Sequence, residues 1–338
     1  MKKSILFIAT LVLLFVLAAC GSGSSDDASS TDASSNKGDS AEKETVRIGY
    51  QRGNTLNILK EHGNLDEALS KEGYTIEWKV FPTGTVLLEA LNTNNIDFGH
   101  ASDGNAVFMQ AGGHPLHYIA SEAPYPKGVA LVVKADSDIK TVEDLKGKTI
   151  GVTKGGNQHY LLLVALEKAG ISLDEVEIRF YKDAAEGLSA FTTDQFDVYG
   201  TWDPYLAIVE NKVETRTIVD GSDLTENRTF YFASEEFLAE KQDVIKIILE
   251  ELQNSNQWAN ENKQEVSEIL SAELGLEIEP IQQANDRRTF GVEKIEEVII
   301  SSQQQLADTF FEAGLLETEV SVEEATNVDE AMIPDNIK

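Results

Sequence analysis

From Thr45 to Ala233, short apolar runs alternate with segments of helical period, and small, polar or glycine-containing loops join them. Strand candidates are 46–50, 74–80, 96–99, 116–120, 129–134, 149–153, 177–181, 198–201 and 230–233. Helical patterns fall between them at 55–62, 86–91, 106–111, 158–169 and 184–192. A chain that alternates in this way folds as α/β, with mostly parallel sheets flanked by helices. Beyond Ser234 the pattern becomes almost wholly helical. Its clearest stretch is Val292, Ile295, Val298, Ile299, Leu306 and Phe310, closed by Gly314.

Four of the strand-to-helix loops are alike in character. They read Gln51-Arg52-Gly53-Asn54, Pro82-Thr83-Gly84-Thr85, Ser102-Asp103-Gly104-Asn105 and Lys154-Gly155-Gly156-Asn157. Residues of this kind cap helices everywhere, so one such loop says little. Four together say more. Ligands of open parallel sheets bind at the carboxyl ends of strands. The free N–H groups at helix starts favour an anion there. The set points to an anion-binding cleft.

The 338 residues hold 28 Lys+Arg against 58 Asp+Glu, a net charge of −30. Residues 1–44 carry four lysines and six carboxylates, which leaves −28 on the remainder. So acidic a surface offers no cation field to displace the counterions of a nucleic acid, and it does not suit a basic membrane-surface protein. Catalytic signatures are missing. Gly147-Lys148-Thr149 lacks the glycine of a phosphate loop, with Val142 in its place, and runs into a strand. There is no G-x-G-x-x-G after a strand and no G-x-S-x-G elbow. His114 and His117 bracket Pro115 ahead of a strand, and no metal or cofactor is expected. The carboxylates single out no catalytic pair, so the chain reads as a binder and not an enzyme.

Cys20 is the one cysteine, which excludes a disulfide scaffold and multi-cysteine metal sites. Lys2 and Lys3 precede an apolar run from Ile5 to Ala19, short for a membrane span and suited to a signal peptide, residues 1–19. Leu17-Ala18-Ala19-Cys20-Gly21 resembles a bacterial lipobox. The resemblance implies cleavage before Cys20 and a lipid on its thiol; two acyl chains suffice for stable anchoring. Residues 20–44 continue as a Gly/Ser/Asp/Ala tether without Val, Leu, Ile or aromatic residues, with a reach of roughly 25–30 Å. These features place the folded part at a cell membrane, lipid-anchored on the extracytoplasmic face.

Several segments together resemble one family. They are the opening Val46-Arg47-Ile48-Gly49-Tyr50-Gln51-Arg52-Gly53, then Phe81-Pro82-Thr83-Gly84 with Leu88-Glu89-Ala90-Leu91. Asp144-Leu145-Lys146-Gly147-Lys148-Thr149-Ile150-Gly151-Val152 follows, with Lys154-Gly155-Gly156-Asn157-Gln158-His159 after it. Trp202-Asp203-Pro204-Tyr205, Asn285-Asp286-Arg287-Arg288 and Gln303-Gln304-Gln305-Leu306-Ala307-Asp308 complete the set. Over roughly residues 45–320 the chain is similar to the aliphatic sulfonate-binding proteins of ABC importers, relatives of the taurine and nitrate binders. The Asp-Leu-Lys-Gly-Lys stretch identifies only the broad fold; the Trp-Asp-Pro-Tyr and Arg-Arg segments are more specific.

The resemblance implies a two-lobed, type II periplasmic-binding-protein-like fold with a ligand cleft between the lobes. Lobe one would comprise 45–125 and 230–338, lobe two 126–229. Segments 122–128 and 227–231 would be the crossovers, the first stiffened by Pro124 and Pro126. It implies a monomer that captures an alkanesulfonate as a sulfur source and hands it to a permease and ATPase. Nitrate, taurine, a phosphonate or a thiamine pyrimidine precursor are alternative ligands of the same fold. The candidate ligand-binding residues follow. Gly156 and Asn157 offer N–H groups at a helix start, and Ser102 a hydroxyl. Asp103 neighbours Ser102 and suits a helix cap, and Thr85 resembles Ser102. Arg287 or Arg288 supplies the charge-assisted contact. Trp202 walls the alkyl part. Gln51 and His159 are further polar candidates. Gly155-Gly156-Asn157 departs from the Ser-rich segment common in sulfonate binders, keeping backbone donors and losing hydroxyls.

Overall fold

The computed structural model describes residues 43–326 and 329–337. The signal peptide, Cys20 and the tether up to residue 42 lie outside the described residues.

The strands are β1 (Glu44–Tyr50), β2 (Tyr74–Val80), β3 (Phe98–Ser102), β4 (Tyr118–Glu122), β5 (Val129–Lys134), β6 (Thr149–Val152), β7 (Glu177–Phe180), β8 (Val198–Trp202), β9 (Thr215–Asp220), β10 (Thr229–Ala233) and β11 (Val292–Glu293). The first helices are α1 (Thr55–His62), α2 (Leu65–Lys71), α3 (Gly84–Asn92), α4 (Asp103–Ala111), α5 (Asn157–Lys168), α6 (Ala184–Thr192) and α7 (Tyr205–Lys212). The helical tail holds α8 (Glu235–Glu240), α9 (Gln242–Glu261), α10 (Lys263–Leu274), α11 (Ile278–Asp286) and α12 (Glu297–Glu312).

Two sheets form, in the orders β11-β4-β10-β3-β1-β2 and β7-β6-β8-β5-β9. The chain passes from the six-stranded to the five-stranded sheet between β4 and β5, and returns between β9 and β10. Pairing is more mixed than the alternation suggested. β1 runs parallel to β2 and β3, and β6 parallel to β7 and β8. The strands next to the two crossings, β4, β5, β9 and β10, pair antiparallel, because a chain that changes sheets there has no helix to carry it back to a parallel start. The two crossing segments hydrogen-bond to each other: Tyr125 N–H donates to Glu226 O at 2.9 Å. The second crossing ends at Arg228, ahead of the expected 227–231, because Phe230 and Tyr231 already pair with β3 and β4.

The parallel halves of the two sheets repeat one design. Asp97 before β3 accepts the Arg47 N–H of β1 at 2.7 Å; Asp197 before β8 accepts the Thr149 N–H of β6 at 2.8 Å. Asn94 and Asp194 turn in the left-handed region at the matching helix ends (φ 54° and 59°). Each half thereby sends its helix starts to the same side, where the sheets face each other. In the tail, α12 begins at Glu297 and not at Val292. Val292 joins β11, and Val298 stays exposed while Ile299, Leu306 and Phe310 are buried.

Candidate functional site

A cleft of about 860 Å³ opens between the sheets. Six helices aim their first residues into it: α1 through Asn54, α3 through Thr83–Thr85, α4 through Ser102, α5 through Gly156–Gln158, α6 through Asp183 and α7 through Pro204–Tyr205. The reason is local. Each helix follows a strand by a loop of small or capping residues, and helix starts carry unpaired N–H donors and positive potential.

Five of the six starts satisfy a donor of their own, α7 through Asp203, whose Oδ1 accepts the Ala207 N–H at 3.1 Å, and four through their cap side chains. Asn54, Thr83, Ser102 and Asp183 accept from the N–H groups of Asn57, Val86, Asn105 and Glu186. α5 differs. Its cap is Gly156, without a side chain, and the N–H groups of Asn157 and Gln158 have no hydrogen-bond partner among the described residues. The twelve residues of α5 aim this uncapped end at the cleft.

Arg288 faces the cleft from the six-stranded side, between the rings of Phe290 (4.6 Å) and Tyr125 (5.4 Å). One of its nitrogens donates to Glu122. Glu122 also accepts from the buried hydroxyls of Thr55 (2.5 Å) and Tyr231 (3.3 Å). The carboxylate is thereby fully engaged, and it orients the guanidinium, whose other donors remain available. Trp202 and Tyr205 meet edge to face at 5.4 Å on the five-stranded side; Val80 and Phe81 add apolar surface opposite. The wall holds four cations (Arg52, Lys154, Lys182, Arg288) and three carboxylates (Glu122, Asp183, Asp203), so the acidity of the whole chain is not carried into the cleft.

Of the ten residues picked from sequence, Gln51, Thr85, Ser102, Gly156, Asn157, Trp202 and Arg288 line the cleft. The Ser102 hydroxyl is spent locally, donating to Asn105 Oδ1 at 2.9 Å. Thr85 Oγ1 accepts from Asn105 Nδ2 and keeps its own proton for a ligand. The Asn157 side chain bonds Asn227 of the second crossing, which leaves its backbone N–H for the cleft.

Three candidates are placed elsewhere. Asp103 turns away and is buried, accepting the N–H groups of Gly104 (2.7 Å) and Arg228 (3.3 Å). Burial raises its pKa to about 7. The cap of α4 is Ser102, not Asp103. His159 is buried under the Lys154–Asn157 loop, where its Nδ1 accepts the Gly155 N–H at 3.1 Å. Arg287 is drawn off by the Asp203 and Glu210 carboxylates, and so bridges the segments before and within α7 instead of meeting the cleft.

Sequence reasoning passed over His100 and Glu122. Both end or interrupt apolar strands near the carboxyl end, where a polar residue signals a cleft. His100 accepts the Gln51 N–H at 3.2 Å on Nε2, and Asn54 Nδ2 lies 2.6 Å from the same atom. Burial lowers its pKa to about 4, so the ring is neutral and the pairing assigns its proton to Nδ1.

Comparison with known proteins agrees with this architecture. The family described as NMT1/THI5 like matches residues 70–266, more than half of the chain. The chain belongs to the NMT1/THI5-like family. Within the family, it is 32% identical over 280 residues to a relative from Escherichia coli (strain K12) named as an aliphatic sulfonates-binding protein. That match covers 82% of this chain and 87% of the relative. The crystal structure of the periplasmic aliphatic sulphonate binding protein SsuA from Escherichia coli superposes with a TM-score of 0.79 at 31% identity, covering 84% of this chain and 92% of SsuA. The alkanesulfonate-binding protein SsuA from Xanthomonas axonopodis pv. citri bound to MOPS superposes with 0.76 at 30% identity, covering 85% and 99%. This NMT1/THI5-like chain thus has the fold of periplasmic binding proteins, two sheet-based lobes with the cleft between them.

Proposed function

We propose that this chain is the extracytoplasmic substrate-binding component of an ABC importer and captures aliphatic sulfonates for uptake. One observation carries the reading: the uncapped start of α5 and the Arg288 guanidinium face one cleft from opposite lobes. A sulfonate head has three oxygens and one charge. It takes N–H donors on one side and a charge-assisted contact on the other. The alkyl tail lies against Trp202 and Tyr205. The two SsuA neighbours, one of them bound to MOPS, support the ligand class. The lobes divide as 45–125 with 230–338, and 126–229. Cys20 is lipidated after signal removal and tethers a monomer to the membrane, where a permease and ATPase receive the ligand. The protein is a binder without catalytic chemistry.

Calorimetry with a series of alkanesulfonates, taurine, sulfate, nitrate and an aminopyrimidine tests the proposal. Alkanesulfonates should give the strongest binding. Sulfate should bind less well, since it leaves the tail wall unused and brings a second charge to desolvate. Heat from nitrate or the pyrimidine alone would overturn the sulfonate reading. Detergent extraction and lipid labelling of wild type and Cys20→Ala test the anchor; an alanine variant that carries the same label refutes it.

A further inference from the structure

Gly104 is the second residue of α4, and an ideal Cβ on it would lie 2.2 Å from the carbonyl oxygen of Gly155. Backbone from one lobe therefore rests on backbone from the other. Gly155 is itself constrained. Its φ of 71° lies in the left-handed region, and a Cβ there would meet the Phe108 ring of α4 at 2.6 Å. Its N–H points the other way, onto His159 Nδ1 at 3.1 Å. The His159 ring is packed against Phe180 of β7 (5.3 Å) and Phe310 of α12 (5.9 Å). Burial first, and the nearby Lys154 charge second, lower its pKa to about 4. Lys154 is the charged group acting on it, and the rings contributed by β7 and α12 carry no charge. At neutral pH the ring is neutral, the only form that accepts at a ring nitrogen.

The residues directly after this contact, Gly156 and Asn157, begin the uncapped end of α5. We propose that the Gly104–Gly155 contact, held from beneath by His159, is the seat that sets the α5 donors at their binding position. Gly104, Gly155 and His159 are positioning residues for the anion. The inference rests on the sulfonate reading above and adds the part that fixes its geometry.

The choice of glycine at 104 supports a positioning role. Alanine is the better helix former, and Gly104 sits in a nine-residue helix at ordinary φ. A methyl group there favours α4 itself and pushes the Gly155 carbonyl away. The overlap with a backbone carbonyl outweighs the gain in helix propensity, so Gly104→Ala should lose both binding and some stability, and hydrogen exchange that quickens in segment 153–158 more than elsewhere separates displacement of the seat from general loosening. At position 159, phenylalanine keeps the ring and removes the acceptor. Asparagine restores an acceptor, since its Oδ1 falls close to the place of the histidine Nδ1.

Two measurements on the full folded chain test this. The first is butanesulfonate titration of wild type, Gly104→Ala, His159→Phe and His159→Asn, with the melting temperature of each unliganded protein. Gly104→Ala and His159→Phe should bind about tenfold or more weakly. His159→Asn should bind within about threefold of wild type. The second is amide hydrogen exchange of segment 153–158 without ligand, which should be about tenfold faster in Gly104→Ala and His159→Phe. Wild-type affinity in Gly104→Ala, or unchanged exchange in both variants, overturns the seat. Failure of wild type to take up any sulfonate refutes the ligand reading instead, and the exchange result still decides the seat.

Discussion

Arg287 and Arg288 are adjacent in the chain and differ completely in surroundings. Arg287 meets two carboxylates across the α11–α7 contact, Asp203 at 3.2 Å and Glu210. Arg288 meets one, and keeps donors for the cleft. Sequence could name the pair but not choose within it, because the deciding partners lie 77 to 166 residues away. Arg288→Ala should weaken every sulfonate alike, by about 10- to 100-fold, the worth of a hydrogen bond to a charged group; unequal losses across the series would place the head elsewhere. Arg287→Ala should leave affinity nearly unchanged and cost about 2–3 kcal/mol of stability, below the full value for a buried pair because Arg287 is partly exposed. Denaturant unfolding measures that cost. His159 gives a pH signature. Its folded pKa of about 4 lies below the ordinary 6.5, so the unfolded chain binds the extra proton as pH falls from about 6.5 to about 4. Its contribution to stability is full above 6.5 and shrinks through that window. Relative to His159→Phe, wild type should lose on the order of 3 kcal/mol between those limits; parallel pH profiles would show that His159 is not buried neutral.

At the scale of elements, legibility followed the apolar pattern and the caps: β2 is an edge strand without a fully buried residue, yet its Tyr74, Ile76, Trp78 and Val80 alternate with polar residues. β2, β5, α1 and α6 match the residues expected from sequence at both ends, because periodic apolar residues meet clear caps or turns there. β9 and α2 were not anticipated. β9 is an edge strand reading Thr-Arg-Thr-Ile-Val-Asp, whose two apolar residues are adjacent and do not alternate. α2 is only seven residues long. The helix starts lining the cleft were legible through Gly, Asn and Thr. Which start stays uncapped was less so, because a glycine cap marks the end of α5 only after the other caps are seen to be occupied. Trp202, at the end of β8, tests the wall that these elements build. Trp202→Ala should weaken binding more as the alkyl tail lengthens, by up to about 0.8 kcal/mol for each methylene that loses its cover. A loss equal for all tails, or none, would place the tail elsewhere in the 860 Å³ cleft.

At the scale of the whole molecule, the two lobes touch in this structure at several points besides the two crossings. Gly104 meets Gly155, α11 meets α7 through Arg287, and Asn157 bonds Asn227. A ligand adds a further link, since the α5 donors and Arg288 stand on different lobes. Its full binding energy is available only when both reach it, so ligand must shift the population toward the closed arrangement. Sulfonate at about 100-fold above its dissociation constant should stabilise the fold by ~2.7 kcal/mol. For a chain of this size that raises the melting temperature by roughly 4–5 °C. Small-angle scattering should then show a smaller radius of gyration with sulfonate than without, as the parts of the lobes away from the Gly104–Gly155 contact draw together. Arg288→Ala separates closure from simple occupancy. It removes one end of the link and its contacts to Glu122 and Tyr125, while the backbone pairing of the crossings between Tyr125 and Glu226 stays, so the unliganded radius should stay as in wild type while compaction with ligand is lost. If wild type shows no compaction at saturating sulfonate, hinge closure is wrong. If Arg288→Ala compacts as fully as wild type, the ligand draws the lobes together through some other residue.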